Sequence, residues 1–276
     1  MSHTTTELII EAGHTERNYW RDLFRYRELF YFLAWRDVLV RYKQTVIGVL
    51  WAVLRPLLTM MVFTFVFSRV AKLPAEGVPY PVMVFAAMLP WQLFATSLSE
   101  GSGSLISNSN LISKVYFPRL IVPASAVIVS FVDFAISMVL LVGLMAIYKV
   151  WPGVPILMLP IFTALALLAS AGAGIWLAAL NVKYRDFRYV VPFIVQFGLY
   201  ISPVGFSSNI VPQKFRLLYS LNPIVGVIDG FRWSVSNANT AFPTQSLAFS
   251  IVTTAVLLFT GIWYFRKTER TFADVI

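Results

Sequence analysis

The chain has 276 residues, of which 58% are hydrophobic and 13% are charged, and its formal net charge is +9. A soluble domain is about 45–50% apolar and about a quarter charged, so this composition favours a membrane protein. No cysteine is present, which excludes disulfides, Fe–S clusters and thiolate zinc sites.

The N-terminal part of the chain is more polar than the rest. Residues 1–18 lack the apolar core of a cleavable signal peptide. Residues 19–43 are rich in aromatic residues and arginine, and Asp37 lies four residues before Arg41, the spacing of a helical ion pair. We therefore predict that 1–45 forms a cytoplasmic tail and an amphipathic interface helix, or two helices, at the membrane surface.

Six apolar stretches follow, each long enough for the roughly 20 residues that a transmembrane helix needs. They cover about 46–68, 78–98, 120–148, 150–182, 189–213 and 246–265. All should be helical, because lipid offers no partner to an unpaired backbone group. The predicted fold is an all-α, polytopic integral membrane protein with six transmembrane helices over 46–265.

The segments between these stretches set the orientation. Most of their basic residues lie on the side of the N-terminus, which favours cytoplasmic termini, with 266–276 as the cytoplasmic C-terminus. Because the basic residues border apolar runs, no nucleic acid partner is expected. The apolar stretch 217–228 is too short to cross, so we predict short outer re-entrant helices within 207–240.

The sequence carries no catalytic constellation. It has no Walker A pattern for binding nucleotide. Its only histidines, His3 and His14, lie in the polar tail, so no histidine-based metal site is expected. A transporter, channel or anchoring subunit is favoured over an enzyme.

Three pieces of the sequence together resemble a known family. They are RDVLVRYKQTVIGVLWAVLRPLL (36–58), NSNLISKVYFPRLIVP (108–123) and SPVGFSSNIVPQKFRLLYSLNPIVGVIDGFRW (202–233), and the C-terminal FRKTERTFADVI (265–276) also fits. The chain resembles the membrane subunit of type-2 ABC exporters for polysaccharides, the permease that moves lipid-linked O-antigen, capsule or teichoic-type polymers.

The resemblance implies a homodimer in the bacterial inner membrane. Two copies of a separate cytoplasmic ATPase subunit would bind ATP and Mg, and this chain would bind no cofactor. The substrate would be a lipid-linked polysaccharide leaving the cytoplasm. Two alternatives are an ABC-2 exporter of a drug or lipid and an ATP-independent membrane channel or enzyme.

In this family the cytoplasmic segment between spans two and three couples to the ATPase, which the resemblance assigns to 104–119. Its predicted contact residues are Lys114, Tyr116, Phe117, Pro118 and Arg119. The two cations suit acidic groups on a partner, and the two aromatic rings suit a partner pocket. Pro118 disfavours helical geometry at Phe117 and predicts the end of the coupling helix there. A plain cytoplasmic loop is the alternative.

A polysaccharide path should offer aromatic faces and a few hydrogen-bonding groups. Span five carries such a face at helical spacing, made by Tyr189, Phe193, Gln196, Phe197 and Tyr200. Three further aromatic candidates for the path are Trp51, Phe85 and Trp91. The alternatives for the face on span five are a packing surface or interfacial aromatic belts.

Four charged residues are further candidates. Arg55 and Asp133 lie inside spans, as a direct pair or as groups that face a pore, unless Arg55 extends to the membrane surface. At Arg55 the family resemblance leads us to expect a less polar residue. Asp229 and Arg232 follow the re-entrant stretch, as an outer gate or as solvated loop charges.

Overall fold

A computed structural model describes residues 19–43, 48–75, 77–151, 153–237 and 241–272. The predicted tail at 1–18, positions 238–240 of the outer region and the last four residues lie outside this described part. Within it every regular element is helical and no β-strand occurs.

Eleven α-helices are present in the described ranges. They are α1 (Tyr19–Arg25), α2 (Arg27–Lys43), α3 (Gly48–Thr64), α4 (Tyr80–Ser107), α5 (Ser109–Lys114), α6 (Ile121–Ile147), α7 (Leu159–Lys183), α8 (Phe187–Ile201), α9 (Gln213–Ser220), α10 (Val225–Val235) and α11 (Thr244–Thr268). A π-helical turn, Phe65–Val70, continues α3, and short 3₁₀ turns precede α7 and follow α11.

Five helical segments are long and apolar enough to cross a membrane: Leu50–Val70, Tyr80–Ser107, Ile121–Ile147, Val154–Lys183 and Thr244–Thr271. The prediction of an all-α, polytopic membrane protein is therefore confirmed. The predicted fifth span, 189–213, corresponds to α8, which has 15 residues and ends at Ile201. At the rise of an α-helix these reach about 22 Å, less than the hydrocarbon thickness of a bilayer.

The early end of α8 has a local cause. Ser202 precedes Pro203 and has extended backbone angles, φ −76° and ψ 152°. A proline disfavours helical geometry in the residue before it, so the helix stops at Ile201. Prolines inside helices do not have this effect elsewhere, since α3, α4 and α8 continue through Pro56, Pro90 and Pro192.

Helix α4 lies at the centre of the bundle and packs chiefly against α6 and α7. In its most apolar stretch 83% of the residues are buried, against 17% to 33% in the other four candidate spans. The other four candidate spans therefore keep most of their apolar surface outward.

Helix α11 packs on α7 at a point where two glycines bring the backbones together. A Cβ on Gly172 would lie 2.7 Å from the backbone nitrogen of Leu258, and a Cβ on Gly261 would lie 2.5 Å from the carbonyl oxygen of Gly172. Small residues of this kind allow close helix packing where lipid gives no hydrophobic drive for association.

The helical region at 19–43, predicted as one helix or two, consists of α1 and α2. Helix α2 buries Leu33 and Ala34 and exposes aromatic rings, among them Phe32 and Trp35. Asp37, which lies four residues before Arg41, binds its neighbour Arg36, at 2.7 Å.

Candidate functional site

The short helix α5 lies where the coupling segment was predicted, and we call this end of the bundle the α5 end. Helix α5 ends at Lys114, and Val115 already has extended backbone angles. The prediction that Pro118 ends this helix is therefore wrong in position. Pro118 instead begins the turn into α6, where its carbonyl accepts a hydrogen bond from the Ile121 amide at 3.1 Å.

Two of the five predicted contact residues are used inside the chain. Phe117 is 3% exposed and belongs to an apolar cluster with Leu33 and Phe265. This contradicts its prediction as an anchor for a partner. Arg119 donates through its backbone amide to the Glu269 carboxylate at 2.8 Å and through its guanidinium to the Glu269 carbonyl.

Tyr19 joins the same corner and donates to the Glu269 carboxylate at 3.4 Å. Burial, and then the charge of Glu269, raise the pKa of the Tyr19 phenol well above its usual range, so the group stays a neutral donor. Tyr19, Arg119 and Glu269 thus form a corner that is stabilised by hydrogen bonds within the chain. Lys114 and Tyr116 are exposed, and they are the predicted contact residues left for a partner.

A cavity of about 560 Å³ lies between α3, α4, α6 and α8. Four residues that the sequence singled out line it: Trp51, Arg55, Trp91 and Asp133. They come from three different helices, so only the tertiary fold brings them together. Trp91 itself is only 5% exposed, and its ring also packs against α8 beside Gly198.

The carboxylate of Asp133 is held by α2. Arg41 binds it at 2.9 Å and also reaches Glu100 of α4 at 3.3 Å. Tyr42 donates a hydrogen bond to Asp133, and burial followed by this bond raises the pKa of the Tyr42 phenol. The predicted direct pair of Asp133 with Arg55 is absent from the described residues, because Arg41 and Tyr42 occupy the carboxylate.

The aromatic face of α8 points away from the body of the chain. Its five residues, Tyr189, Phe193, Gln196, Phe197 and Tyr200, are all exposed. The rings of Phe193 and Phe197 lie 4.2 Å apart between centroids, while Val191 on the opposite side is buried. The face is therefore free to meet lipid, another subunit or a substrate, and its role in a polymer path stays a prediction.

Phe85 differs from this set. It is 1% exposed and lies in the main apolar core. The structure thus contradicts its prediction as a path residue, because a buried core ring does not meet a passing polymer. Trp51 is 59% exposed and borders the cavity, which is compatible with its prediction.

The other end of the bundle holds Asp229 and Arg232 in α10. Arg232 is 4% exposed and donates to the carbonyls of Phe206 and Val204 at 2.6 and 3.0 Å. Asp229 accepts a hydrogen bond from Ser246 at 3.1 Å. Arg232 is therefore buried and links α10 to the chain after α8 by hydrogen bonds, and it is not a solvated loop charge. The gate role of Asp229 and Arg232 stays a prediction.

Sequence reasoning missed Tyr42, Glu100 and Glu269. A signal existed for Tyr42, since a carboxylate inside a span, Asp133, requires hydrogen-bond donors. For Glu269 no signal existed, because its partners Tyr19 and Arg119 are remote in sequence.

A sequence model of the family described as ABC-2 type transporter matches residues 28–236. The chain is also 27% identical over 242 residues to a Klebsiella pneumoniae protein named O-antigen export system permease protein RfbA, an alignment that covers 87% of this chain and 92% of the relative. A Myxococcus xanthus protein of the same name is 29% identical over 261 residues, covering 93% and 98%.

Proposed function

The chain belongs to the ABC-2 type transporter family, and from this premise we propose that it is the membrane subunit of an ATP-driven exporter of lipid-linked polysaccharide. The polymer would leave the cytoplasm across the bacterial inner membrane, and O-antigen is the polymer that the names of the relatives favour. The observation that carries the proposal is the exposed aromatic face of α8, together with these relatives.

Energy would come from a partner. The chain has no Walker A pattern, so a separate ATPase subunit would bind ATP and Mg and hydrolyse the nucleotide. Its docking site would be the α5 end, where Lys114 and Tyr116 are exposed beside the rigid corner of Phe117 and Arg119. Because Phe117 and Arg119 are fixed within the chain, a force applied by the ATPase at Lys114 and Tyr116 would be transmitted to the helix bundle.

Two copies of the chain would form the path. Helices α3 and α8 flank the same cavity, and both expose apolar and aromatic side chains, such as Trp51 on α3 and Phe197 on α8. Paired across a two-fold axis, these faces would enclose a passage lined by rings. Aromatic faces bind the C–H faces of sugars weakly, which lets a polymer slide.

Depletion of the chain from its cell tests this proposal. We expect lipid-linked polysaccharide to accumulate on the cytoplasmic side and to disappear from the surface, as detected by immunoblotting of each side of the inner membrane. Unchanged surface polymer without internal accumulation would contradict the proposal and favour export of a drug or another lipid.

A matched pair of variants tests the α8 face. Phe193→Ala removes a ring that is 57% exposed from it, and Phe259→Ala removes a ring that is 76% exposed from α11. We expect the first variant to lower surface polymer several-fold at equal protein level, and the second to leave it unchanged. Equal effects of both variants would assign the α8 face to lipid contact alone.

A further inference from the structure

Arg55 is an exposed cation of the cavity, and its guanidinium has no hydrogen-bond acceptor among the residues that the structure describes. It lies seven residues into α3, about 10 Å along the helix axis. No carboxylate or carbonyl within the described ranges accepts a hydrogen bond from its guanidinium, since Glu100 binds Arg41, and Asp133 binds Arg41 and Tyr42.

The charges of Glu100 and Asp133 offset those of the two arginines at the cavity, but both carboxylates bind Arg41 and neither binds Arg55. Arg41 bridges both acids, so Arg55 feels their attraction only at longer range. An arginine at membrane depth is costly unless acceptors surround it, or unless its long side chain reaches the interface. The exposed guanidinium of Arg55 is therefore open to acceptors from outside the described residues.

A second group in the cavity also lacks a partner. Ser130 is 0% exposed, lines the cavity, and its hydroxyl has no hydrogen-bond partner among the residues that the structure describes. The volume of about 560 Å³ falls in the usual range of ligand sites. The cavity is thus lined by an exposed cation from α3 and, behind its wall, by a buried hydroxyl from α6.

We propose that Arg55 binds the phosphate of a membrane lipid in this cavity. A guanidinium pairs with phosphate oxygens through two parallel hydrogen bonds, which supplies the acceptors that the fold withholds. Trp51 and Thr59, one helical turn to either side of Arg55, line the same cavity. Leu50 and Leu58 expose apolar surface on α3, along which the acyl or prenyl chain would lie.

Two lipids carry this chemistry: a glycerophospholipid of the bilayer and the prenyl diphosphate that anchors a polymer. The second source rests on the proposed function, whereas the first does not. A binding experiment on this chain alone keeps the two questions apart, because it requires neither the ATPase nor export.

The experiment uses the full chain in phosphatidylcholine nanodiscs, with bound lipid counted by native mass spectrometry. Farnesyl diphosphate and phosphatidylglycerol are titrated separately, with inorganic pyrophosphate as competitor. The variants are Arg55→Gln, which removes the charge, and Arg55→Lys, which keeps it without the planar fork. Arg69→Gln is the matched control, because Arg69 is an exposed arginine at the far end of the same helical segment.

We expect Arg55→Gln to weaken lipid binding roughly tenfold or more, as for lost hydrogen bonds to a charged group. Arg55→Lys should weaken it less, and Arg69→Gln should not change it. A loss confined to farnesyl diphosphate supports the polymer anchor as ligand, and a loss for both lipids supports a general anionic-lipid site. Competition by pyrophosphate supports phosphate recognition in either case.

Equal binding of both lipids by the original chain and Arg55→Gln, with unchanged thermal unfolding, would overturn the proposal. A changed dimer fraction of Arg55→Gln with unchanged lipid binding would also overturn it, and would assign the missing acceptors to a second copy of the chain.

Discussion

Helices α4 and α8 both border the cavity, yet they treat their aromatic residues in opposite ways. On α4, Phe85 and Trp91 are 1% and 5% exposed, whereas on α8 Tyr189 and Phe193 are 82% and 57% exposed. The difference shows that aromatic content alone does not mark a transport surface. The rings of α4 hold the bundle together, and those of α8 are left for whatever lies outside the chain.

The largest expected effect separates the two helices by stability. Phe85→Ala should lower the free energy of unfolding by about 3–5 kcal/mol, because it leaves a cavity in the core. Phe193→Ala should lower it by less than about 0.5 kcal/mol in the single chain. Thermal unfolding in detergent measures both, and similar losses would remove the distinction between α4 and α8.

A smaller effect is expected where the two helices touch. A Cβ on Gly198 of α8 would lie 2.5 Å from the ring of Trp91 on α4, which is buried and has little room to move. We expect Gly198→Ala to cost about 1–3 kcal/mol by overpacking. Gly143→Ala is the control in α6, because no atom lies within 4 Å of its added Cβ. A Gly198→Ala variant as stable as the control would mean that α8 moves freely against α4.

The smallest expected effect lies outside both helices, at the α5 end. Lys114→Glu should weaken ATPase binding several-fold, the size of an exposed charge effect, and leave thermal unfolding unchanged. Lys214→Glu on α9 reverses an exposed charge at the other end and should leave binding unchanged. Co-purification of the ATPase with each variant measures the difference, and equal retention by both would place the docking surface elsewhere.

The sequence predicts the helical fold and most spans well, because apolar length is a local property. The sequence does not predict burial or side-chain partners that depend on contacts with other helices. Residues 80–98 of α4 carry no charge, so the sequence of this stretch does not distinguish a lipid-facing Phe from the buried Phe85. The partner of Asp133 lies on α2, which sequence spacing does not reveal. The end of α8 could be predicted from the sequence, since Pro203 favours an extended backbone at Ser202.

The corner around Glu269 has a consequence for biogenesis. Tyr19, Arg119 and Glu269 meet there, although the last is 250 residues from the first and 150 from the second. During synthesis α1 to α10 exist before Glu269 is made, so the segment that carries Tyr116 lacks its hydrogen bonds to Glu269 until translation has passed α11. Under the proposed docking of an ATPase at the α5 end, assembly would then be deferred to chains that contain Glu269, and a chain truncated before Glu269 would lack these hydrogen bonds.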